Sequence, residues 1–339
     1  MVVAMPPHRP PNMSELAKIA GVSVSTVSRA LAGSEAINID TRTRIAALAN
    51  EHGFEANRLA RNLRMQRTEA IGVIIPLGHQ ADQPLTDPFF LTMIGHLADA
   101  LSDRGYDMLL KRIVPGDERW LDRIMMAGVI DGAIIIGQSD QEATIDRVAQ
   151  RYPKIVVWGA ALPDRHYVCV GSDNRLGGAI ATQHLIDQGR RRLLFLGDSA
   201  APEIAEREAG FRATCDAAGI GPDAHSLRVG LVGDSAYQQV LAAIERDRDV
   251  DGIFAASDVI AIAAIRALHA SGRRVPEDVA VIGFDDVPIA EHLIPALTTV
   301  RQDVAQGAEL LVSKLFELLK GRATQSIEMS PTLMKRQSA

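Results

Sequence analysis

Arg29 and a set of hydroxyls beside it (Ser25, Thr26, Ser28) stand on a short stretch, residues 13–31, whose pattern is two helices joined at a glycine. A guanidinium there can reach guanine O6 and N7 in bidentate fashion. Ser25 and Ser28 can bond a base or a phosphate, and Thr26 a phosphate. About thirty residues on, Asn57, Arg58, Arg61, Leu63 and Arg64 form a basic segment with one apolar residue between arginines. On DNA, Leu63 suits a wedge between base steps in the minor groove, with the arginines on phosphates or the groove floor. A second set is scattered more widely. Asp87, Arg207, Ser257 and Asp285 could hold hydroxyl groups, and Phe89 and Phe90 could set an aromatic face against a ring. Two cysteines, Cys169 and Cys215, offer neither a disulfide framework nor metal-ligand spacing. No metal or cofactor is expected.

The elements that must position the first set are legible. Asn12 and Glu15 have capping-box spacing for a helix starting at Met13. Leu16, Ala17 and Ala20 make its apolar side, and Gly21 can take positive φ and end it. Ser23 caps a second helix with Val27, Ala30 and Leu31 inward and Val24, Ser25, Ser28 and Arg29 outward. Asn38 caps a third over residues 40–52, with Ile45 and Leu48 inward. Two helices at a glycine turn, braced by a third, form a helix-turn-helix unit, whose second helix enters the major groove. Residues 57–66 have little to bury, and a helix that short is marginal in water. They are expected to order on a partner; a linker with scattered arginines is the plainer alternative.

Charge agrees with this division. Residues 1–67 hold nine basic and five acidic side chains, a balance of +4 in a chain of net charge −6, which leaves −10 for the rest. A basic head on an acidic body suits a polyanion partner for the head alone. Residues 1–11 contain no apolar run of signal-peptide length, and no stretch approaches the roughly 20 residues of a membrane span. The expectation is a cytoplasmic protein with no membrane association.

From residue 70, apolar runs alternate with amphipathic helices. The runs are 70–75, 106–110, 132–136, 155–158, 167–170, 193–196, 252–255 and 279–283; the helices are 89–104, 175–188, 236–246, 258–270 and 304–319. Near-continuous apolar runs read as strands covered on both faces, hence parallel sheets between helices. Some 270 residues exceed one comfortable core, so two α/β lobes are expected, with a ligand cleft at the strand carboxyl ends. Each acid there has a second reading as a helix N-cap. For Asp173 and Asp258 capping is at least as good a reading; for Arg207 and Asp285 ligand contact is preferred. Trp158 and Phe284 serve core or site equally well.

These motifs resemble the lactose-repressor (LacI/GalR) family of bacterial transcription regulators, from about residue 12 to 333. The resemblance rests on residues 13–31, 57–63, 171–178, 256–258, 275–286 and 297–303. It implies an all-α helix-turn-helix domain ahead of a two-lobed core like the periplasmic sugar-binding proteins. It implies a homodimer on a pseudo-palindromic double-stranded DNA operator, with Leu63 of each subunit in the central minor groove and a small effector, a sugar, between the lobes. By position it assigns base readout to Val24, Ser25 and Arg29, backbone and hinge support to Thr26, Asn57 and Arg58, and effector contact to Arg207 and Asp285. The chain departs from the sugar-binding pattern at Gly159, Leu231, Ser257 and Val304, which leaves a nucleobase-type effector as the alternative. The implied divisions are 12–56 for the DNA-binding domain, 57–68 for the hinge, 69–166 with 298–326 for the first lobe, and 167–297 with 327–339 for the second.

Two other classes fit less well. The body carries no GxSxG elbow, HExxH or P-loop, so an α/β enzyme has no motif to rest on. A periplasmic binding protein would need a leader and no DNA-binding head. The expected function is therefore an effector-controlled DNA-binding repressor of carbohydrate uptake or breakdown genes, not an enzyme.

Overall fold

The computed structural model describes residues 11–31, 34–54, 67–221 and 224–339. The chain separates into two compact units, one ending at Thr68 and the other spanning Glu69–Ala339.

The first unit holds α1 (Met13–Ala20), α2 (Val24–Leu31) and α3 (Ile39–Glu51). The Asn12 side chain accepts from the Ser14 and Glu15 amides at 3.0 Å each, and Glu15 returns the bond to the Asn12 amide at 2.7 Å. This reciprocal cap satisfies donors that the first turn would otherwise leave open. Gly21 ends α1 at φ +65°, a conformation nearly free of cost only for glycine. Leu16, Ala17, Ala20, Val27, Ala30, Ile45 and Ala49 form the small core. Leu48 is half-buried, and Ala49 takes the inward place beside it.

The second unit contains two six-stranded sheets. Its elements run β1 (Ala70–Pro76), α4 (Pro88–Ser102), β2 (Asp107–Ile113), α5 (Trp120–Met126), β3 (Gly132–Ile136), α6 (Glu142–Ala149), β4 (Ile155–Trp158), β5 (Val168–Ser172) and α7 (Asn174–Asp187). They continue with β6 (Leu193–Leu196), α8 (Pro202–Ala217), β7 (His225–Leu227), α9 (Gly233–Arg246), β8 (Gly252–Ala255), α10 (Asp258–Ala270) and β9 (Ala280–Asp285). Last come β10 (Thr298–Arg301), α11 (Val304–Leu319), β11 (Ile327–Met329) and β12 (Thr332–Met334). The first sheet has order β11-β5-β4-β3-β1-β2 and is parallel throughout; the second has order β12-β10-β9-β8-β6-β7, with only β12 antiparallel to its neighbour.

The apolar runs divide between two helical layers with the period of a strand. Ile71, Val73 and Ile75 of β1, with Ile134 and Ile136 of β3, join α4 and α11 on one face. Ile74, Ala133 and Ile135 join Trp120, Leu121 and Ile145 of α5 and α6 on the other. Such strands bury both faces, which is why they read as unbroken apolar runs.

The lobe boundaries differ from those expected. Strand β5 pairs with β4 (Val157 opposite Cys169), and β11 pairs with β5, so both belong to the first sheet. Strand β10 pairs with β9 (Val300 opposite Phe284) in the second. The divisions at 166/167, 297/298 and 326/327 are thus corrected to crossings between Ser172 and Asn174, Arg301 and Val304, and Met329 and Thr332. Each strand finishes the sheet it extends before the chain leaves at that strand's carboxyl end. The short strands β7, β10, β11 and β12 and helices α5 and α6 are additions to the sequence reading, as is the full extent of α8. Among the described residues no helix is long and apolar enough to cross a membrane.

Candidate ligand cleft and DNA-contacting helix

Helix α2 presents Val24, Ser25 and Arg29 outward, with Val24 39% exposed. Thr26 and Ser28 are half-buried. The Ser23 hydroxyl accepts from the Thr26 amide at 3.1 Å, confirming it as the cap, and lies 2.8 Å from both the Ser25 and Thr26 hydroxyls. These hydroxyls therefore sit in one small cluster at the amino end of α2. Asn57, Arg58, Leu63 and Arg64, the remaining candidates for DNA contact, lie outside the described residues.

In the second unit, a cavity opens between the lobes at the carboxyl ends of β1, β3, β4, β8 and β9. All six candidates read from the sequence line it: Asp87, Phe89, Phe90, Arg207, Ser257 and Asp285. They come from 199 positions of chain and from both sheets, so only the tertiary fold brings them together. His79, Ser139, Trp158, Glu203 and Gln302 line it too. Trp158, open in the sequence between core and site, lines the cavity and is buried; the other four are additions to the sequence reading. They follow strand ends or begin helices, but no local pattern separates them from ordinary loop residues.

Arg207 is held from three sides. Its Nε donates to Asn174 Oδ1 at 2.8 Å and its Nη1 to the Ala256 carbonyl at 2.5 Å. The guanidinium lies 3.6 Å from the centroid of the Phe284 ring. Phe284 is fully buried, so it is core and also the floor beneath the arginine. Asp285 Oδ1 stands 3.9 Å from Arg207 Nη1 and accepts from Gln302 Nε2 at 2.7 Å. Burial pushes the Asp285 carboxyl up to about 7, opposed by the Arg207 charge and helped by Asp87. Burial also raises the Asp87 carboxyl, against hydrogen bonds from Gln83 and the Phe89 and Phe90 amides.

Several alternatives resolve. Asp87 caps α4 (Phe89 amide, 2.9 Å) while lining the cavity. Ser257 caps α10 through the Ile260 amide at 3.3 Å and lines the cavity as well. Asp173 is a cap, accepting from the Leu176 amide at 2.9 Å. Asp258 is neither cap nor cavity residue. It is fully buried, accepting from the Val287 amide at 2.8 Å and the Thr299 hydroxyl at 2.5 Å, and it braces the turn after β9. Phe89 lies 6.2 Å from Trp158, ring to ring, and the pair forms an aromatic wall.

The four departures also have places. The slot beside Gly159 is filled by Gln138, whose Oε1 would lie 2.5 Å from a Cβ at 159. Leu231 lines the cavity and packs against the second lobe's core, whereas Val304 belongs to the first lobe's core. Taken together, the cleft offers three carboxylates (Asp87, Glu203, Asp285), one guanidinium, small polar groups and an aromatic wall. That surplus of acceptors suits a ligand rich in hydroxyl donors and disfavours an anion. Among the described residues no group of His, Cys, Asp or Glu is arranged to hold a metal ion.

Comparison with known proteins agrees with both units. A profile described as bacterial regulatory proteins, lacI family, matches residues 12–57, and one described as a periplasmic binding protein-like domain matches residues 182–339. The chain is 32% identical to the HTH-type transcriptional regulator CelR of Thermobifida fusca over 338 residues, covering 98% of this chain and 99% of the relative. A solved transcriptional regulator CelR–cellobiose complex matches at TM-score 0.72 and 29% identity, covering 97% of this chain and 100% of the other. The lac repressor dimer bound to operator and an anti-inducer shares the fold at TM-score 0.84 and 23% identity, covering 97% and 99%.

Proposed function

We propose, from the premise that this chain belongs to the lacI family of bacterial regulatory proteins, that it is a sugar-responsive repressor acting as a homodimer. It is a DNA-binding transcription regulator by family. In this reading two heads occupy the halves of a pseudo-palindromic operator, with Val24, Ser25 and Arg29 at base edges and Thr26 and Ser28 at the backbone. Asn57, Arg58, Leu63 and Arg64 supply the hinge, and Leu63 wedges into the central minor groove. The protein works in the cytoplasm and catalyses no reaction.

The observation that carries the effector assignment is the shared cavity: Asp87, Phe89, Phe90, Arg207, Ser257 and Asp285 line one cleft. Arg207 and Asp285 supply a donor beside an acceptor, which hold vicinal hydroxyls, and Phe89 with Trp158 faces the apolar side of a sugar ring. The acidic surplus favours an uncharged sugar over a phosphorylated one. The cellobiose complex of the similar CelR makes a β-linked disaccharide the first compound to try. The effector controls transcription only if it binds the DNA-competent and DNA-incompetent arrangements with different affinity.

A thermal-shift screen of mono- and disaccharides tests this, followed by operator binding with each hit. A sugar is expected to raise the melting temperature and change operator affinity, with both effects absent in Arg207→Ala. Stabilisation by purine bases with none by sugars would replace this reading with a nucleobase effector.

A further inference from the structure

We propose that Glu203 is a positioning residue that holds the two lobes together through the backbone amide of Gln138, as one of two hydrogen-bonded latches across the cleft among the described residues. Glu203 lies in the first turn of α8, on the second lobe, and Gln138 follows β3 on the first. Glu203 Oε1 accepts the Gln138 N–H at 3.1 Å. The same carboxylate lines the ligand cavity, so it answers both to the opposite lobe and to what occupies the cleft.

Gln138 is fixed as a donor by its own side chain. It is fully buried, and its Nε2 donates to the Ala160 carbonyl at 2.9 Å and the Tyr167 hydroxyl at 2.8 Å. Its Oε1 accepts the Ala160 amide at 2.9 Å. Gly159 leaves the slot that this amide fills. The side chain's polar atoms are thus engaged within the first lobe, while the backbone N–H is given to the second.

The second latch runs the other way. Gln80 Oε1, on the turn after β1, accepts the Leu231 N–H of the second lobe at 2.6 Å. The two first-lobe turns are sewn into one ledge by Ser139. Its hydroxyl accepts from the Gly78 and His79 amides at 3.1 and 3.2 Å and lies 2.6 Å from His79 Nδ1. Asp140 abuts Gly78 so closely that a Cβ there would lie 1.8 Å from Asp140 Oδ1. Lobe opening must therefore break both latches together, because the ledge cannot yield at one point alone. A hydrogen bond to a charged acceptor is worth on the order of tenfold or more in an equilibrium constant.

The test uses the full-length protein without effector, so it stands whether or not the sugar assignment holds. Amide hydrogen exchange at Gln138 and Leu231 is followed with small-angle scattering in Glu203→Ala, Glu203→Gln, Glu203→Met and Gln80→Ala. Glu203→Ala is expected to speed exchange at Gln138 on the order of tenfold and to enlarge the radius of gyration. Glu203→Gln, whose amide oxygen still accepts, is expected to stay near the parent, whereas Glu203→Met, similar in size but without an accepting oxygen, is expected to behave like Glu203→Ala; a merely steric role would leave the methionine variant near the parent instead. Gln80→Ala is expected to speed exchange at Leu231, and it decides the matter if Glu203→Ala does not fold. Unchanged exchange and scattering in Glu203→Ala, or in Gln80→Ala where that variant must stand in, overturns the proposal, as does Glu203→Gln behaving like Glu203→Ala.

Discussion

Asp285 sits at φ +119° and its neighbour Asp286 at φ +57°, a pair of non-glycine residues in backbone regions that side chains disfavour. The turn is clamped from outside. Asp286 bonds Arg301 and Arg336 at 2.6 Å each, and Asp258 takes the Val287 amide. The strain buys an Asp285 carboxylate facing the cleft. Its titration has a definite sign. The unfolded carboxyl has the ordinary value of 3.8, while burial raises the folded one to about 7. Between those values the folded protein holds a proton that the unfolded chain has lost, so stability falls as pH rises from about 4 to 7. Asp285→Asn is expected to flatten that fall in melting temperature, leaving the part owed to Asp258, whose carboxyl burial also raises. Hydroxyl donors favour the carboxylate, so sugar binding is expected to release a fraction of a proton near pH 7. Calorimetry in two buffers of different ionisation enthalpy reads this; identical heats would count against Asp285 as the acceptor. On the head, Arg29→Ala is expected to lose about 1–3 kcal/mol of discrimination between operator and random DNA while general DNA affinity persists. Equal loss on both DNAs, by fluorescence anisotropy, would remove Arg29 from base readout.

At the scale of elements, the cleft depends on how closely α7 and α8 approach. A Cβ at Gly178 would lie 2.2 Å from the Arg207 carbonyl, and one at Gly210 would lie 2.1 Å from the Arg175 carbonyl. Those contacts are backbone, which cannot swing aside as a side chain can. Gly178→Ala should therefore push α8 away, costing about 1–3 kcal/mol by overpacking. Since α8 carries Arg207 and Glu203, effector affinity should fall with the melting temperature; an unchanged melting curve would show that the helices are not in tight contact. The helices of the head were legible because their signals are local: Asn12 with Glu15, Gly21, Ser23, and an apolar face repeating every three to four residues. Long buried strands such as β3 were legible for a similar reason, since both faces are covered and the run is unbroken. Strands β10, β11 and β12 were not, because they are short and broken by polar residues (Thr298 and Thr299, Glu328, Thr332), unlike the equally short but wholly apolar β4 and β6.

At the scale of the whole molecule, effector binding must be felt at the operator, and residues 57–66 join the two units. Leu63→Ser is expected to weaken operator binding and reduce DNA bending while leaving the DNA-free protein's effector affinity nearly intact. A gel-phasing assay with unchanged bending would refute the wedge. The residues alone determined the helix-turn-helix pattern, the alternation that forces parallel sheets, and six candidate positions, but not that these six share one cleft. Those are matters of composition, spacing and local capping, each written within a few neighbouring residues. The tertiary structure decided which strand belongs to which lobe, so that the crossings fall after β5, β10 and β11. It decided that Asp258 braces a turn while Asp285 faces the cleft, though both follow strands and look alike in sequence. It also supplied Glu203, Gln138 and Gln302, and it placed Trp158 on the cavity wall. Their roles arise from partners well outside the local window, as far apart as Glu203 from Gln138 and Trp158 from Phe89, and pairing at that range leaves no mark on the local pattern.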